Sequence, residues 1–388
     1  MNKNKLKNAI RKITPLAIGA KLFYDWNSER KFHNKITEFI KKRELPNKET
    51  APAIYNIGHE PTIRCNLKCK MCYQGQTRAL RRSELDGDDV IKVYEKLSDR
   101  IDGIKLVGGE PFVHPDIMKM IGFWKDKNKS VILQTNCTLI DEKTIGELKK
   151  MTNVTDILTS LDGPQEVHDT IRGVPGTFDR LKKALGLIKE NMPWVNITVF
   201  ATLLVNDKPD YLYKLIDTCK SLGIGTINVL FEQVYTSNEV ESAHKILQQY
   251  LGWEEDSYRL NTQIRTPSFP ENTDVKEVKK MLHDLRMYGL KNGCFVNLTP
   301  YNYYKNLDKY LGKKPAKVFC HKLLNPSMRV NQKGDVIWCD IIEKSFGNLS
   351  EKSPDEIWLS EDFQKFRLYL FCKSLPICYR CCKASVVN

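Results

Sequence analysis

No apolar run in this chain of 388 residues is long enough to cross a bilayer, which takes about 20 residues. The nearest approach, Leu16-Ala-Ile-Gly-Ala followed by Leu22, Phe23, Tyr24 and Trp26, is too short, and no secretory signal accompanies it. A reducing cytoplasm is therefore the expected location. Basic residues outnumber acidic ones by 61 to 47, a net charge of +14, yet they are not interleaved with stacking aromatics. With no recognisable binding module either, a nucleic-acid partner is not expected. The twelve cysteines lack the spread of a disulfide framework. Three fall in 65–72, six in 320–382, and Cys137, Cys219 and Cys294 stand singly, a clustering that suits metal ligation.

The charge excess is local. Residues 1–50 hold 13 Lys and Arg against 5 Asp and Glu, and Leu6, Ile10 and Ile13 share a helical face among Lys3, Lys5, Lys7, Arg11 and Lys12. Such a basic amphipathic segment suits an anionic membrane surface, and equally an N-terminal helix packed on the core domain or a half-ordered tail. Membrane association through the N-terminus is thus one expectation for it. Phe32, Ile36, Phe39 and Ile40 then continue one helical face up to a polar linker with Pro46 and Pro52.

From Ile54 the pattern changes. Ile54–Ile63 reads as a strand, and short β-branched runs near 104–107, 131–135, 156–161, 196–204 and 226–231 alternate with amphipathic helices near 88–100, 115–127, 141–151, 177–191 and 211–222. Six consecutive strand–helix units imply a parallel sheet with right-handed crossovers, too few to close an eight-stranded barrel. The expected fold is α/β: a partial (β/α)6 barrel over 51–235, with a cysteine-rich β-hairpin module at 320–388. Between them, 236–319 breaks the rhythm with helices expected at 238–251, 274–288 and 301–311, and suits a bridge or cap over the barrel mouth.

Parallel α/β folds place ligands at the C-terminal ends of their strands. There the first strand delivers Cys65-Asn-Leu-Lys-Cys69-Lys-Met-Cys72, three thiols spaced Cx3Cx2C and followed by Tyr73. Soft thiolates hold iron–sulfur clusters, and three of them leave one iron of a cubane open to a small ligand. Zinc is the alternative for the Cys69/Cys72 half-site, but a structural zinc wants four ligands and the next cysteine is Cys137. The spacing resembles that of the radical S-adenosylmethionine (radical SAM) enzymes, whose open iron chelates the amine and carboxylate of SAM. Further strand ends carry the same resemblance: Gly108-Gly109-Glu110-Pro111; Thr135-Asn136-Cys137, where the family commonly has Thr-Asn-Gly; and Ser160-Leu-Asp162-Gly163 followed by His168-Asp169 and Arg172-Gly173. The partial barrel is also that family's fold. The resemblance implies that Tyr73, Gly108, Gly109, Glu110, Thr135, Asn136, Ser160, Asp162, Arg172 and Leu204 form the SAM site. Glu110 would accept from the amine, Ser160 and Arg172 bind the carboxylate, Asp162 lie by the ribose and Leu204 by the adenine. On the residues alone, Arg172 and Asp162 equally suit a pair that braces the loop.

A second cysteine group reads Cys320-x13-Gly334-x4-Cys339, then Cys372, Cys378, Cys381 and Cys382. Asn331-Gln-Lys-Gly334-Asp reads as a hairpin turn that would bring Cys320 and Cys339 onto adjacent strands. The pattern resembles the opening of the SPASM and twitch modules, which carry auxiliary iron–sulfur clusters in part of the radical SAM family. A full SPASM module has seven cysteines and two clusters; six here imply one cluster, with Cys320, Cys339, Cys378 and Cys381 as first choice of ligands and Cys372 as alternate. A zinc-ribbon arrangement remains open for the same thiols. The resemblance further implies reductive cleavage of SAM at a 4Fe–4S cluster to a 5′-deoxyadenosyl radical, hydrogen abstraction from a substrate C–H bond, and a low-potential donor of the flavodoxin or ferredoxin kind. Asp340, directly after Cys339, stands where sulfatase-maturing members place a catalytic base; a solvated strand-end aspartate is the alternative. A net oxidation of a peptide or protein is expected, with a glycan, lipid or small metabolite, or an epimerisation, as alternatives.

Overall fold

A computed structural model describes residues 27, 30–42, 45, 49–72, 74, 83–203, 210–231, 233, 235–260, 274–299, 304–310 and 317–387. The basic stretch 1–26, Tyr73 and Leu204 lie outside the described residues. Helix α1 (30–41) buries Ile36 and sets Phe39 edge-on against Phe319 and Phe371.

Strands β1 (Asn56–His59), β2 (Gly103–Leu106), β3 (Ser130–Gln134), β4 (Val154–Ser160), β5 (Asn196–Leu203) and β6 (Thr226–Phe231) lie side by side, each parallel to the next. The crossovers are α2 (Gly87–Leu97), α3 (Ile117–Asp126), α4 (Glu142–Leu148), the pair α5 (Gln165–Arg172) and α6 (Thr177–Asn191), and α7 (Asp210–Ser221). Alternation decides which face each strand buries: Ile104 and Leu106, Val131 and Leu133, Ile227 and Val229 are fully or nearly fully buried. Each such aliphatic side chain contributes about 1.5–3 kcal/mol. Asp86 and Asp141 cap α2 and α4, accepting from the Asp89 and Thr144 amides.

The sheet continues past these six strands. After α8 (Ser237–Leu251), β7 (Tyr258–Leu260) and α9 (Val275–Lys291), strand β8 (Phe295–Thr299) adds in parallel to β6. Helix α10 (Leu307–Tyr310) and β9 (Lys317–Cys320) follow, and β10 (Ser327–Val330) then pairs in parallel with β1, with β11 (Val336–Ile337) antiparallel at its edge. The nine strands run β11-β10-β1-β2-β3-β4-β5-β6-β8. The segment expected only to bridge therefore also supplies a barrel strand, and the C-terminal module is hydrogen-bonded into the sheet.

The rest of the module comprises β12 (Ile342–Lys344), α11 (Pro354–Trp358), α12 (Glu361–Cys372) and β13 (Ala384–Val387). β12 pairs with β7, and β13 with β9. Trp338, Phe346, Trp358 and Phe363 form its aromatic core, Phe346 stacked on Phe363 at 4.4 Å, and the Arg367 guanidinium lies 3.8 Å from the Trp358 ring centre. The Asn331 turn does close a hairpin, Gly334 taking φ +83°. Its first strand is β10, however, and not the strand of Cys320. The short helical turn His321–Leu324 carries the chain from β9 into the other sheet, so Cys320 and Cys339 are not on adjacent strands.

Candidate metal and cofactor site

The first cysteine loop is held from two sides. Gly109 and Glu110 donate from their amides to the Thr62 and Arg64 carbonyls at 2.9 and 2.8 Å, and a Cβ on Gly108 or Gly109 would collide with those carbonyls. The glycines thus serve close approach to the cysteine loop's own backbone, whereas the motif alone suggests close approach to a ligand. On the other side, Lys68 and Lys70 donate to the Arg172 and Ile171 carbonyls, each at 3.0 Å. Gly173, at φ +71°, ends α5 against the Lys68 carbonyl.

Cys65, Cys69 and Cys72 are half-buried on this loop. The Leu67 amide donates to the Cys65 sulfur at 3.4 Å, and Asn136 Nδ2 reaches the same sulfur at 3.9 Å and Asn66 Oδ1 at 2.9 Å. Arg172 bridges: its Nε donates to Asp162 Oδ2 at 2.6 Å and its Nη1 to the Cys69 sulfur at 3.6 Å. Burial alone would push Asp162 upward, but Arg172 and His168 outweigh it and hold the carboxyl below its ordinary value. The brace anticipated for Arg172 and Asp162 is present, and the Asp162 Oδ1 atom is buried without a hydrogen-bond partner among the described residues.

Glu110 is fully buried. Its Oε1 accepts from Thr135 Oγ1 at 2.7 Å and the Phe112 amide at 3.2 Å, and its Oε2 from the Asn136 amide at 2.7 Å, tying the β2 and β3 ends together. Burial, only partly offset by these donors, pushes its carboxyl up to about 7. Cys137, in the place of the family's glycine, keeps a positive φ of 62°, and its thiol is fully buried. Ser160 is half-buried at the end of β4.

The second group converges elsewhere. Cys320, Cys339, Cys378 and Cys381 line one cavity with Lys322 and Asp340. Cys372 is exposed on α12 and takes no part in the lining; Cys382 adjoins the cavity through Cys381. Amides again point at sulfur from two residues on: Ile341 to Cys339 at 3.4 Å and Lys383 to Cys381 at 3.3 Å. Burial raises the thiols of Cys320, Cys339 and Cys378, Cys339 to about 11, so ligation here must displace protons. Asp340 lies 2.5 Å from Arg329 Nη1 and 3.7 Å from Lys322 Nζ. Burial opposes its ionisation, yet Arg329, Lys322, Lys383 and Lys105 hold it far below the usual carboxylate range. Arg329 also pairs with Glu60 at the end of β1, joining this cavity to the barrel. None of these cations stood out in the sequence; the one available signal was a charged Arg329 between Met328 and Val330 in a strand.

The radical SAM superfamily model matches residues 59–219, and a model for SPASM, an iron–sulfur cluster-binding domain, matches 320–382. The chain carries a radical SAM domain and a C-terminal SPASM domain. It is similar to the AdoMet-dependent heme synthase of Methanosarcina barkeri, 26% identical over 322 residues that span 80% of this chain and 84% of that one. It also resembles the antilisterial bacteriocin subtilosin biosynthesis protein AlbA of Bacillus subtilis, 32% identical over 147 residues, 36% of this chain and 32% of that one. Among solved structures, Streptococcus suis SuiB bound to precursor peptide SuiA shares its fold with a TM-score of 0.57 at 15% identity, covering 87% of this chain and 71% of that one. The structure of anSMEcpe with bound AdoMet and Cp18Cys peptide does so with 0.58 at 20%, covering 84% and 86%.

A radical SAM domain implies a 4Fe–4S cluster and SAM, and a SPASM domain implies additional iron–sulfur clusters. The residues present fit such groups: amide donors are aimed at thiol sulfurs in both places, and a buried carboxylate oxygen beside Arg172 lacks a partner among the described residues. Among the described residues no three His, Cys, Asp or Glu side chains gather around a single-ion position. No helix among them is long and apolar enough to cross a membrane.

Proposed function

We propose that this radical SAM enzyme carries out a net oxidation of a peptide or protein, with one auxiliary cluster held by Cys320, Cys339, Cys378 and Cys381. When bound, a 4Fe–4S cluster and SAM supply an oxidising 5′-deoxyadenosyl radical that removes hydrogen from a C–H bond. Cys65, Cys69 and Cys72 would hold that cluster. Glu110 would accept from the SAM amine, while Asp162, Ser160 and Arg172 would orient the rest, with Thr135 and Asn136 fixing Glu110. The observation that carries an oxidative outcome is the cavity itself. Four cysteines surround it, and Arg329 links its Asp340 to Glu60 at the barrel's first strand.

Asp340 would take a substrate proton beside that cavity, but a carboxylate so strongly held by Arg329 is a weak base. Its basicity would rise as Arg329, Lys322, Lys383 or Lys105 moves away from it. The likeness to AlbA supports a peptide substrate. A second reading, a small metabolite, is supported by the heme synthase likeness, which extends over most of the chain.

The test is anaerobic. The chain is reconstituted with iron and sulfide, Fe and Zn are counted, and SAM and dithionite are added. About eight irons with 5′-deoxyadenosine formed supports two cubanes. No 5′-deoxyadenosine beyond a Cys69→Ala control overturns the radical reading, and zinc at the second site overturns the oxidative role.

A further inference from the structure

Tyr235 lies between β6 and α8 and is 1% exposed. Its hydroxyl is buried and has no hydrogen-bond partner among the described residues. Buried hydroxyls are ordinarily satisfied, so an orphan of this kind asks for an acceptor that the described residues do not supply. Its surroundings name one. Thr236 caps α8 in a reciprocal capping box with Glu239, and the same Glu239 accepts from Arg380 Nη1 at 2.6 and 2.5 Å. Arg380 ends the short turn Pro376–Arg380, which carries Cys378 and leads into Cys381. A part-buried ion pair, in which Arg380 Nη1 is shared between both Glu239 carboxylate oxygens, therefore clamps the start of α8, two residues after Tyr235, to the turn that bears Cys378 and leads into Cys381.

We propose that the Tyr235 O–H donates a hydrogen bond to a sulfur of the auxiliary iron–sulfur cluster and thereby raises that cluster's reduction potential. This rests on the reading that Cys320, Cys339, Cys378 and Cys381 hold such a cluster. A donor at sulfur draws off negative charge and favours the reduced state. Gln233, two residues before Tyr235, lines the cavity with those cysteines, and a phenol carries its proton at neutral pH and can donate it. Phenylalanine keeps the ring and removes only the donor.

The full chain carrying Cys65→Ala, Cys69→Ala and Cys72→Ala isolates the auxiliary cluster. Iron is counted and the midpoint potential is read by EPR-monitored titration with and without Tyr235→Phe. The expected result is unchanged iron and a potential lowered so that reduction is about tenfold less favourable, about 59 mV for one electron. Iron in place with an unchanged potential overturns the Tyr235 assignment alone. No iron in the triple-alanine chain overturns the cluster reading and the assignment with it. If Tyr235→Phe itself loses iron, pulsed ENDOR of the unsubstituted tyrosine chain decides: an exchangeable proton coupled to the reduced cluster supports the assignment, and its absence overturns it.

Discussion

Arg172 donates to Asp162 at 2.6 Å in a site where the carboxylate is wholly buried, and the same guanidinium reaches the Cys69 thiol at 3.6 Å. One cation therefore neutralises a buried acid and positions the Cys69 thiol. Removing it strands Asp162, and breaking one side of a buried pair costs about 3–5 kcal/mol. Arg172→Met should lower the melting temperature by several degrees and reduce bound iron, as calorimetry and iron analysis would record. Arg172→Lys should recover only part of the loss, because an ammonium cannot address two partners through a planar fork. Full recovery with lysine would leave the bridge without importance.

The glycine pair gives a second expectation. A methyl group on Gly109 would collide with the Arg64 and Ile63 carbonyls of the cysteine loop. Gly109→Ala should displace that loop and halve the iron of the reconstituted chain, leaving about four irons at the auxiliary site. Unchanged iron at both sites would mean the loop yields without consequence.

The six strand–helix units and the strand-end positions of Cys65–Cys72, Glu110, Asn136 and Asp162 were legible because β-branched runs and amphipathic helices alternate without interruption. β8 was not, since Phe295-Val-Asn-Leu-Thr is short, and its central Asn297 interrupts the apolar signal and pairs with Asn228 across the sheet. Nor was the seat of β10 against β1. That pairing joins residues some 270 positions apart, such as Gly58 and Arg329, and no local pattern encodes it. The same distance hid Arg329 as the partner of Asp340 and Glu60. Tyr235 escaped notice because a lone tyrosine carries no spacing signal; only the missing partner of its hydroxyl marks it.

Glu110 should make stability depend on pH. Burial raises its carboxyl from 4.5 to about 7. Between those values the folded chain keeps a proton that the unfolded chain has lost, so this group's contribution falls as pH rises from 4.5 through 7, by on the order of 3 kcal/mol. Glu110→Gln removes the titration but sets an amide donor against the amide of Asn136 or Phe112, a penalty that does not vary with pH. Melting temperatures of the two cluster-free chains at pH 5 and pH 8 should therefore converge, or cross in favour of glutamine, at the higher pH. A constant difference would show that Glu110 does not titrate in this range.

The last expectation separates ligands from bystanders among the C-terminal cysteines. Cys320, Cys339, Cys378 and Cys381 face one cavity, and two of them receive amide hydrogen bonds at sulfur, whereas Cys372 is exposed on α12. A serine at any of the four exchanges a soft thiolate for a harder oxygen and should lose about four irons per chain, while Cys372→Ser should lose none. Cys382 is the discriminating case. Its hydrogen bond with Cys381, working against burial and helped by nearby Lys383, brings its thiol down to about 7 and gives it more thiolate character than its neighbour. Adjacent cysteines rarely reach one cubane together, so Cys382→Ser should retain the iron, and Cys381→Ser should lose it. The reverse result would transfer the fourth ligand to Cys382 and leave Cys381 as its supporting hydrogen-bond partner.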